Sequence, residues 1–263
     1  MLLGRNVHSI SDQAALLTDD ARLAEVRQNI ADGDIYIARR AYDPGLLREM
    51  RDYLTTIGRS SLPNYAKIEQ GAPNFHRMNR ADPRSYVQGC FHQFVFFPWN
   101  QDVFDLFSVF TPVYQLKNRL SGIPADRFLG IEPQDGCTAR LAFQFYPCGG
   151  GFLNRHSDPV DYHQLTVPIM QLSKKGEDFS TGGLYVQMAD GSDLVIDDIT
   201  DWGDVVYFNA RCPHGVAAID PDAPMRWPDY RGRWMLLFAV NRLADNAAIA
   251  NAVDLERSVA PAG

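Results

Sequence analysis

The sequence predicts a mostly β protein with a helical N-terminal wrap, on three observations. From about residue 138 onward, short apolar stretches recur between Gly-rich turn signals, the pattern of a sandwich or closed barrel. One of them, 138–146, alternates cleanly, with Leu141, Phe143 and Phe145 on one face and Arg140, Ala142, Gln144 and Tyr146 on the other. Ahead of that region, two segments carry apolar residues at helical spacing behind N-cap residues. The expected organisation is a single domain over 1–263. Within it, 1–130 holds N-terminal helices, a first strand and a covering insertion, 131–243 holds the β core, and 244–263 a C-terminal helix or tail.

Taken in order, Thr18, Asp19 and Asp20 offer caps for a helix to about Ile30, with Leu23, Val26 and Ile30 on one side. Asp32 and Gly33 end it, and 34–39 reads as a short strand. Asp43 before Pro44 is a strong helix start, because Asp caps and Pro is pre-set for the first turn. The helix carries Leu46, Leu47, Met50, Tyr53 and Leu54 on one side and is expected to stop near Gly58. Residues 59–100 are dense in Asn, Arg, Pro and aromatics, and read either as a loop-rich insertion over a binding site or as irregular packing. Residues 102–120 look helical, with Pro112 expected to kink or split them. Further strands are expected at 164–172, 183–187, 194–196, 204–208 and 233–240, and the Ala-rich tail from Asp245 reads as a helix with a frayed end.

Composition narrows the class of function. With 46% hydrophobic and 22% charged residues, the chain is neither disordered, collagen-like nor one long coiled coil. A net charge of −7 repels phosphate backbones at long range and argues against nucleic acid as a general partner. Cys90, Cys137, Cys148 and Cys212 form no C-x-x-C motif, so neither a disulfide scaffold nor a zinc knuckle is expected. Free thiols, no signal-peptide core at the N-terminus and no membrane-length apolar run point to a cytoplasmic protein without a membrane partner. No internal repeat occurs, and nothing in the chain selects an oligomeric state.

The candidate chemistry lies past the Gly-rich turn at 148–151. His156 and Asp158 are two residues apart, so on an extended backbone both side chains point the same way and can occupy two neighbouring positions of a metal. A third ligand must come from elsewhere, and His214, just beyond the apolar strand 204–208, supplies it. Two His and one carboxylate on one face leave open positions on an octahedral ion, as in non-haem Fe(II) oxygenases. Such iron sites need a source of electrons. A 2-oxo diacid can chelate iron at one end while its far carboxylate is held by the planar fork of an Arg. Arg231 and Arg233 open the next apolar strand and are expected on one strand face. Arg233 is preferred, because Gly232 leaves room behind it, with Arg231 and then Arg226 in reserve.

These stretches resemble the Fe(II)/2-oxoglutarate-dependent dioxygenases with a double-stranded β-helix (jelly-roll, cupin-like) core. The matching segments are Gln144-Phe145-Tyr146 with His156-Ser157-Asp158, Thr181-Gly182-Gly183-Leu184-Tyr185-Val186, Gly203-Asp204-Val205-Val206-Tyr207-Phe208 with His214-Gly215-Val216, and Gly232-Arg233. The opening strand and helix, from Gly33 to Leu47, are similar to the phytanoyl-CoA/prolyl hydroxylase-like branch. The resemblance covers about 139–241 well, 31–57 more weakly and 59–130 not at all. It implies iron at His156, Asp158 and His214 and the 2-oxoglutarate carboxylate at Arg233. It further implies oxidation of a small-molecule substrate by O2, with succinate and CO2 as co-products. The interval from His214 to Arg233 is longer than the family often shows, which marks the loop from Asp220 to Tyr230 as an insertion. The halogenating relatives have a small residue where Asp158 stands, so the resemblance disfavours halogenation and leaves hydroxylation, desaturation, epoxidation and ring closure as outcomes. The signature of the base-repair branch is not matched by 231–242.

Other residues carry two readings. Tyr146 and Gln144 share a face of the strand leading to His156 and are candidates to bind cosubstrate or substrate, or to pack. Arg140 on that face reads better as a structural ion pair. Asn209 and Arg211 either line a pocket or end a strand. His76 and His92, with Asn64, Tyr65, Arg77 and Asn79, are candidate substrate contacts or packing residues. Asp161 and His163 imitate the ligand pair in reverse but stand at the start of a strand rather than after the Gly-rich turn. Cys148 and Cys212 are expected near the metal as sites of oxidation rather than as ligands. The alternatives to a 2-oxoglutarate enzyme are a cupin-like iron oxygenase without that cosubstrate, which needs no carboxylate clamp, and a catalytically dead β-helix binding domain, which needs no complete ligand set.

Overall fold

The longest strand pair sets the frame. In the computed structural model, which describes residues 1–67, 70–80, 82–100, 102–160, 164–243 and 252–256, β5 (Cys137–Pro147) and β12 (Gly232–Arg242) pair antiparallel along their whole length. The alternation read from 138–146 holds. Leu141, Phe143 and Phe145 are fully buried in one apolar cluster with the helices, while Tyr146 packs in another on the opposite face. Each face of this strand thus looks into a different core, which is why both sets of residues had to be chosen.

Around this pair the chain closes two sheets. The first runs β1 (Val7–Ile10), β2 (Ile35–Ala38), β10 (Val205–Tyr207), β7 (Ile169–Gln171), β12, β5 and β4 (Gly89–Phe96), with β3 (Asn74–Met78) on the far side of β4. The second runs β6 (Gly151–Ser157), β11 (His214–Ile219), β8 (Gly183–Gln187) and β9 (Asp193–Val195), with β13 (Val253–Asp254) on the other edge of β6. β4 belongs to both: it pairs β5 from His92 to Phe96 and β6 at Gly89 and Cys90. Only β1 and β2 pair in parallel; the rest of the ladder among the described residues is antiparallel. The result is a double-stranded β-helix, or jelly roll, as expected.

Four helices cover the outer face of the first sheet: α1 (Gln13–Thr18), α2 (Asp20–Ala31), α3 (Pro44–Ser60) and α4 (Leu106–Leu120). Leu23, Val26, Leu47, Met50, Leu54, Phe110 and Val113 bury against Phe143, Leu236 and Phe238 of the sheet. The caps are the residues expected. The Asp19 carboxylate accepts from the Arg22 N–H at 2.9 Å, and that of Asp43 accepts from the Leu46 N–H at 3.0 Å, with Pro44 in the first turn. Each satisfies an N–H that the helix cannot.

Several expectations are corrected. Residues 59–100 are neither a loop nor irregular packing throughout, because 74–78 and 89–96 form a regular hairpin whose second strand is central to the molecule. The strand expected at 164–172 is confined to Ile169–Gln171. Pro112 does not split α4, which runs unbroken from Leu106, and α1 and β1 were not expected. All four cysteines are free and buried. Among the described residues no helix is long and apolar enough to cross a membrane. The Asp161–His163 pair lies outside the described residues, as does most of the tail expected to be helical.

Candidate metal centre

β6 and β11 are neighbours in the second sheet, and their register sets His214 directly across from His156. The two rings lie with centroids 4.2 Å apart. Asp158 follows just past the end of β6, where its own N–H donates to the Ala210 carbonyl at 2.8 Å and turns the carboxylate toward both rings. Its Oδ2 stands 3.5 Å from His214 Nε2 and its Oδ1 3.9 Å from His156 Nε2. One ligand atom from each of the three residues lies within 4.8 Å of the others, a group that could hold a metal ion.

The imidazoles are oriented for that purpose. His156 Nδ1 donates to the Asn154 carbonyl at 2.8 Å, and His214 Nδ1 donates to the Cys212 carbonyl at 2.9 Å. With the proton held on Nδ1 by a carbonyl, each Nε2 keeps its lone pair for a ligand. Burial, and then the neighbouring His214, pushes His156 down to about 4, so it is neutral and able to ligate at pH 7. Burial pushes Asp158 upward, but the hydrogen bond with His214 and the charges of His156, His214 and Arg140 outweigh it, and the carboxyl stays below its ordinary value. The donor set is two imidazole nitrogens and one carboxylate, suited to a divalent first-row metal.

A buried guanidinium stands in the same barrel, at the start of β12. Arg233 opens β12 opposite Tyr146 and is wholly buried. Its Nε donates to both Asp197 oxygens at 2.9 and 3.0 Å, and Nη2 donates to Gln171 Oε1 at 3.0 Å. Among the described residues Nη1 has no partner, and neither does the buried Nε2 of Gln171 beside it. A stranded donor of this kind is costly and calls for an acceptor. The Tyr146 ring covers the guanidinium, with the Arg233 Cζ 5.9 Å from its centroid. Gly232 makes the approach possible. At φ +147 it has no side chain, and a Cβ there would fall 2.1 Å from the Tyr146 carbonyl oxygen. That conformation also corrects the expected shared face, since Arg231 is exposed outside the barrel while Arg233 is inside. Arg226 is exposed and paired with Asp229.

Beside the triad is a cavity of about 200 Å³. His156, Asp158 and His214 line it together with Tyr146 and Gln144, so the structure gathers these expected residues around one space. Tyr146 donates its hydroxyl to Gln144 Oε1 at 2.7 Å. Tyr65, Arg84 and Gln93 reach the same cavity from the 59–100 segment, and Arg140 from β5. Asn209 does not take part; it is buried against the Ile30 carbonyl and caps the Arg211 N–H. His92 points to the outer face, where Tyr230 Oη lies 3.0 Å from its Nδ1. Cys148 Sγ is turned to Asp220, away from the triad. Sequence reasoning missed Asp197, Gln171 and Gln93. Gln171 carried a signal, a lone amide in an otherwise apolar strand.

No family model matches the chain, and no curated protein matches it. Solved structures do. A prolyl-4-hydroxylase from Pseudomonas putida is 19% identical with a TM-score of 0.52, the match covering 84% of this chain and 98% of that one. A prolyl hydroxylase from Trichoplax adhaerens, solved with a hypoxia inducible factor peptide fragment, is 15% identical with a TM-score of 0.53, covering 87% and 92%. JOX2, solved with 2OG, Fe and JA, is 13% identical with a TM-score of 0.53, covering 92% and 77%. These likenesses show a shared fold.

Proposed function

We propose that this chain, which has the jelly-roll fold of 2OG-Fe(II) oxygenases, is itself an iron- and 2-oxoglutarate-dependent oxygenase acting on a small polar molecule. The observation that carries the reading is a pairing: a complete His156, Asp158 and His214 ligand set and, in the same barrel, an orphaned guanidinium nitrogen on buried Arg233. Fe(II) fits the donor set, and the far carboxylate of 2-oxoglutarate fits Arg233 Nη1 and Gln171 Nε2, two neighbouring buried donors without acceptors among the described residues. When bound, the pair supplies oxidation of substrate by O2 coupled to decarboxylation of 2-oxoglutarate to succinate and CO2.

This chain's own residues would do the positioning. Asn154 and Cys212 carbonyls hold the imidazoles, so the ligand geometry exists before metal arrives. Asp197 and Gln171 clamp the Arg233 side chain from one edge and leave the other for a carboxylate. Tyr146 shields that charge pair from water, which strengthens it. Gln144 holds the Tyr146 hydroxyl in place.

Anaerobic titration of the Fe(II)-loaded protein with 2-oxoglutarate tests this reading through its weak visible charge-transfer band. The band is expected in the wild type and absent in His214→Ala. In Arg233→Ala it is expected to need at least tenfold more cosubstrate, since a charge-assisted bidentate contact is removed. Tight iron binding with no band would sink the 2-oxoglutarate assignment in favour of an oxygenase that does not use it. Failure to bind iron would leave a binding domain.

A further inference from the structure

Two glutamines face the cavity as neighbours. Gln93 on β4 and Gln144 on β5 are directly opposed in the antiparallel register, so their side chains stand together on the interior face of the sheet. Both line the cavity that holds the metal ligands.

Their inner partners determine what each can offer. Gln144 accepts the Tyr146 hydroxyl on Oε1 at 2.7 Å, which leaves its amide NH2 without a protein partner among the described residues. Gln93 has the opposite polarity: its Nε2 lies 3.1 Å from Nε2 of His76, and it donates there. Burial keeps His76 neutral, pushed down to about 4, so its ring nitrogen can accept. The Oε1 of Gln93 is then free. Neither free atom belongs to the buried, unpaired set; both reach the cavity surface. The two second partners, Tyr146 and His76, come from different strands, so the donor and the acceptor are each set independently.

We propose that Gln93 and Gln144 are the specificity-determining pair of this site. They read a small planar molecule by an adjacent N–H and C=O, the edge of a lactam or primary carboxamide. The substrate N–H donates to Gln93 Oε1, and the substrate C=O accepts from Gln144 Nε2. The rings of Tyr65 and Phe91 line the same cavity and suit a flat ligand. At about 200 Å³ the space is below the roughly 300–1,000 Å³ of drug-sized sites, so the ligand is small. This inference rests on the oxygenase reading for its chemistry but not for its recognition.

The probes are 2-pyridone, N-methyl-2-pyridone and benzoate. Binding is measured by calorimetry under nitrogen, both to metal-free protein and to protein holding Mn(II) and 2-oxoglutarate. The expected result is that 2-pyridone binds and that N-methylation weakens it about tenfold or more, because the N–H is lost and Gln93 Oε1 is buried unpaired. Gln93→Met and Gln144→Met should each weaken 2-pyridone about tenfold while leaving Mn(II) affinity unchanged.

Equal binding of the N-methyl probe, or preference for benzoate, would overturn the proposal, the latter pointing to two outward NH2 groups reading an anion. These arms use wild-type protein, so a variant that fails to fold does not remove the test. If Mn(II) and 2-oxoglutarate bind but 2-pyridone does not, the specificity inference falls and the oxygenase reading stands. If 2-pyridone binds as expected but Mn(II) does not, the reverse holds.

Discussion

Asp197 is almost completely buried and is ion-paired with Arg233, while its Oδ2 also accepts the Leu184 N–H at 2.6 Å. Removing one partner of such a pair leaves the other buried and uncompensated, at a cost of about 3 kcal/mol or more. Asp197→Asn is therefore expected to lower the unfolding midpoint. A second consequence separates a positioning role from a merely structural one. In the variant, the second carboxylate of 2-oxoglutarate would compensate the stranded guanidinium. Thermal unfolding with and without Mn(II) and 2-oxoglutarate should then show a larger ligand-induced rise in Asp197→Asn than in the wild type. An equal or smaller rise would mean that Arg233 does not meet the cosubstrate. Asp197 was illegible in the sequence because its role depends on where a single 3-10 turn, Ile196–Asp198, packs against the start of β12. His156 and Asp158 were legible because a two-residue spacing needs only an extended backbone to share a face.

α4 shows how an element can carry a cost within an otherwise apolar surface. Its buried face includes Leu106, Phe110, Val113 and Tyr114, and also Lys117, which is wholly buried with no partner on Nζ among the described residues. Burial pushes that ammonium down to about 7. In the unfolded chain a lysine titrates near 10.4, so between about pH 7 and 10 the unfolded state binds a proton that the folded state does not. Stability from this group therefore rises with pH across that window and is lowest below it. Lys117→Met is expected to unfold at a higher temperature than the wild type at pH 7, with the difference shrinking as the pH is raised toward 10. A constant difference would mean that Lys117 is not the titrating group. The helices themselves were well marked in the sequence by Asp19, Asp43 and Pro44, because capping is a local interaction. The β3–β4 hairpin was not. β3 mixes Asn, His and Arg with its one Phe, β4 mixes His and Gln with its aromatics, and in β4 the two-residue period is blurred because both faces are largely buried.

At the scale of the whole molecule, the metal site is closed by the far end of the chain. β13 pairs with β6 so that Asp254 lies opposite His156, and Ala252 lines the cavity. The Asp254 carboxylate accepts from the Gln88 N–H at 2.8 Å and from the Asn154 amide at 3.2 Å. It thereby ties the entry to β4, the strand of the first ligand and the tail into one unit. Asp254→Ala is expected to keep the jelly roll by far-UV circular dichroism and to weaken Mn(II) binding several-fold, because the Asn154 carbonyl that orients His156 loses its support. Unchanged Mn(II) affinity would show that the tail acts only at the surface.

Local pattern alone specifies the class of the core, the His156 and Asp158 pair at the end of one strand and His214 past a later one. Each of these follows from local periodicity and from turn residues, which neighbours in the chain suffice to specify. Tertiary structure decided what no local pattern can state. It settled that Arg233, not Arg231, enters the barrel, because Gly232 passes against the Tyr146 carbonyl. It settled that Gln171 and Asp197 clamp that Arg from two separate segments. And it set Gln93 beside Gln144 through the register of two strands far apart in sequence. Such contacts arise from sheet closure, where residues meet by register and not by spacing along the chain.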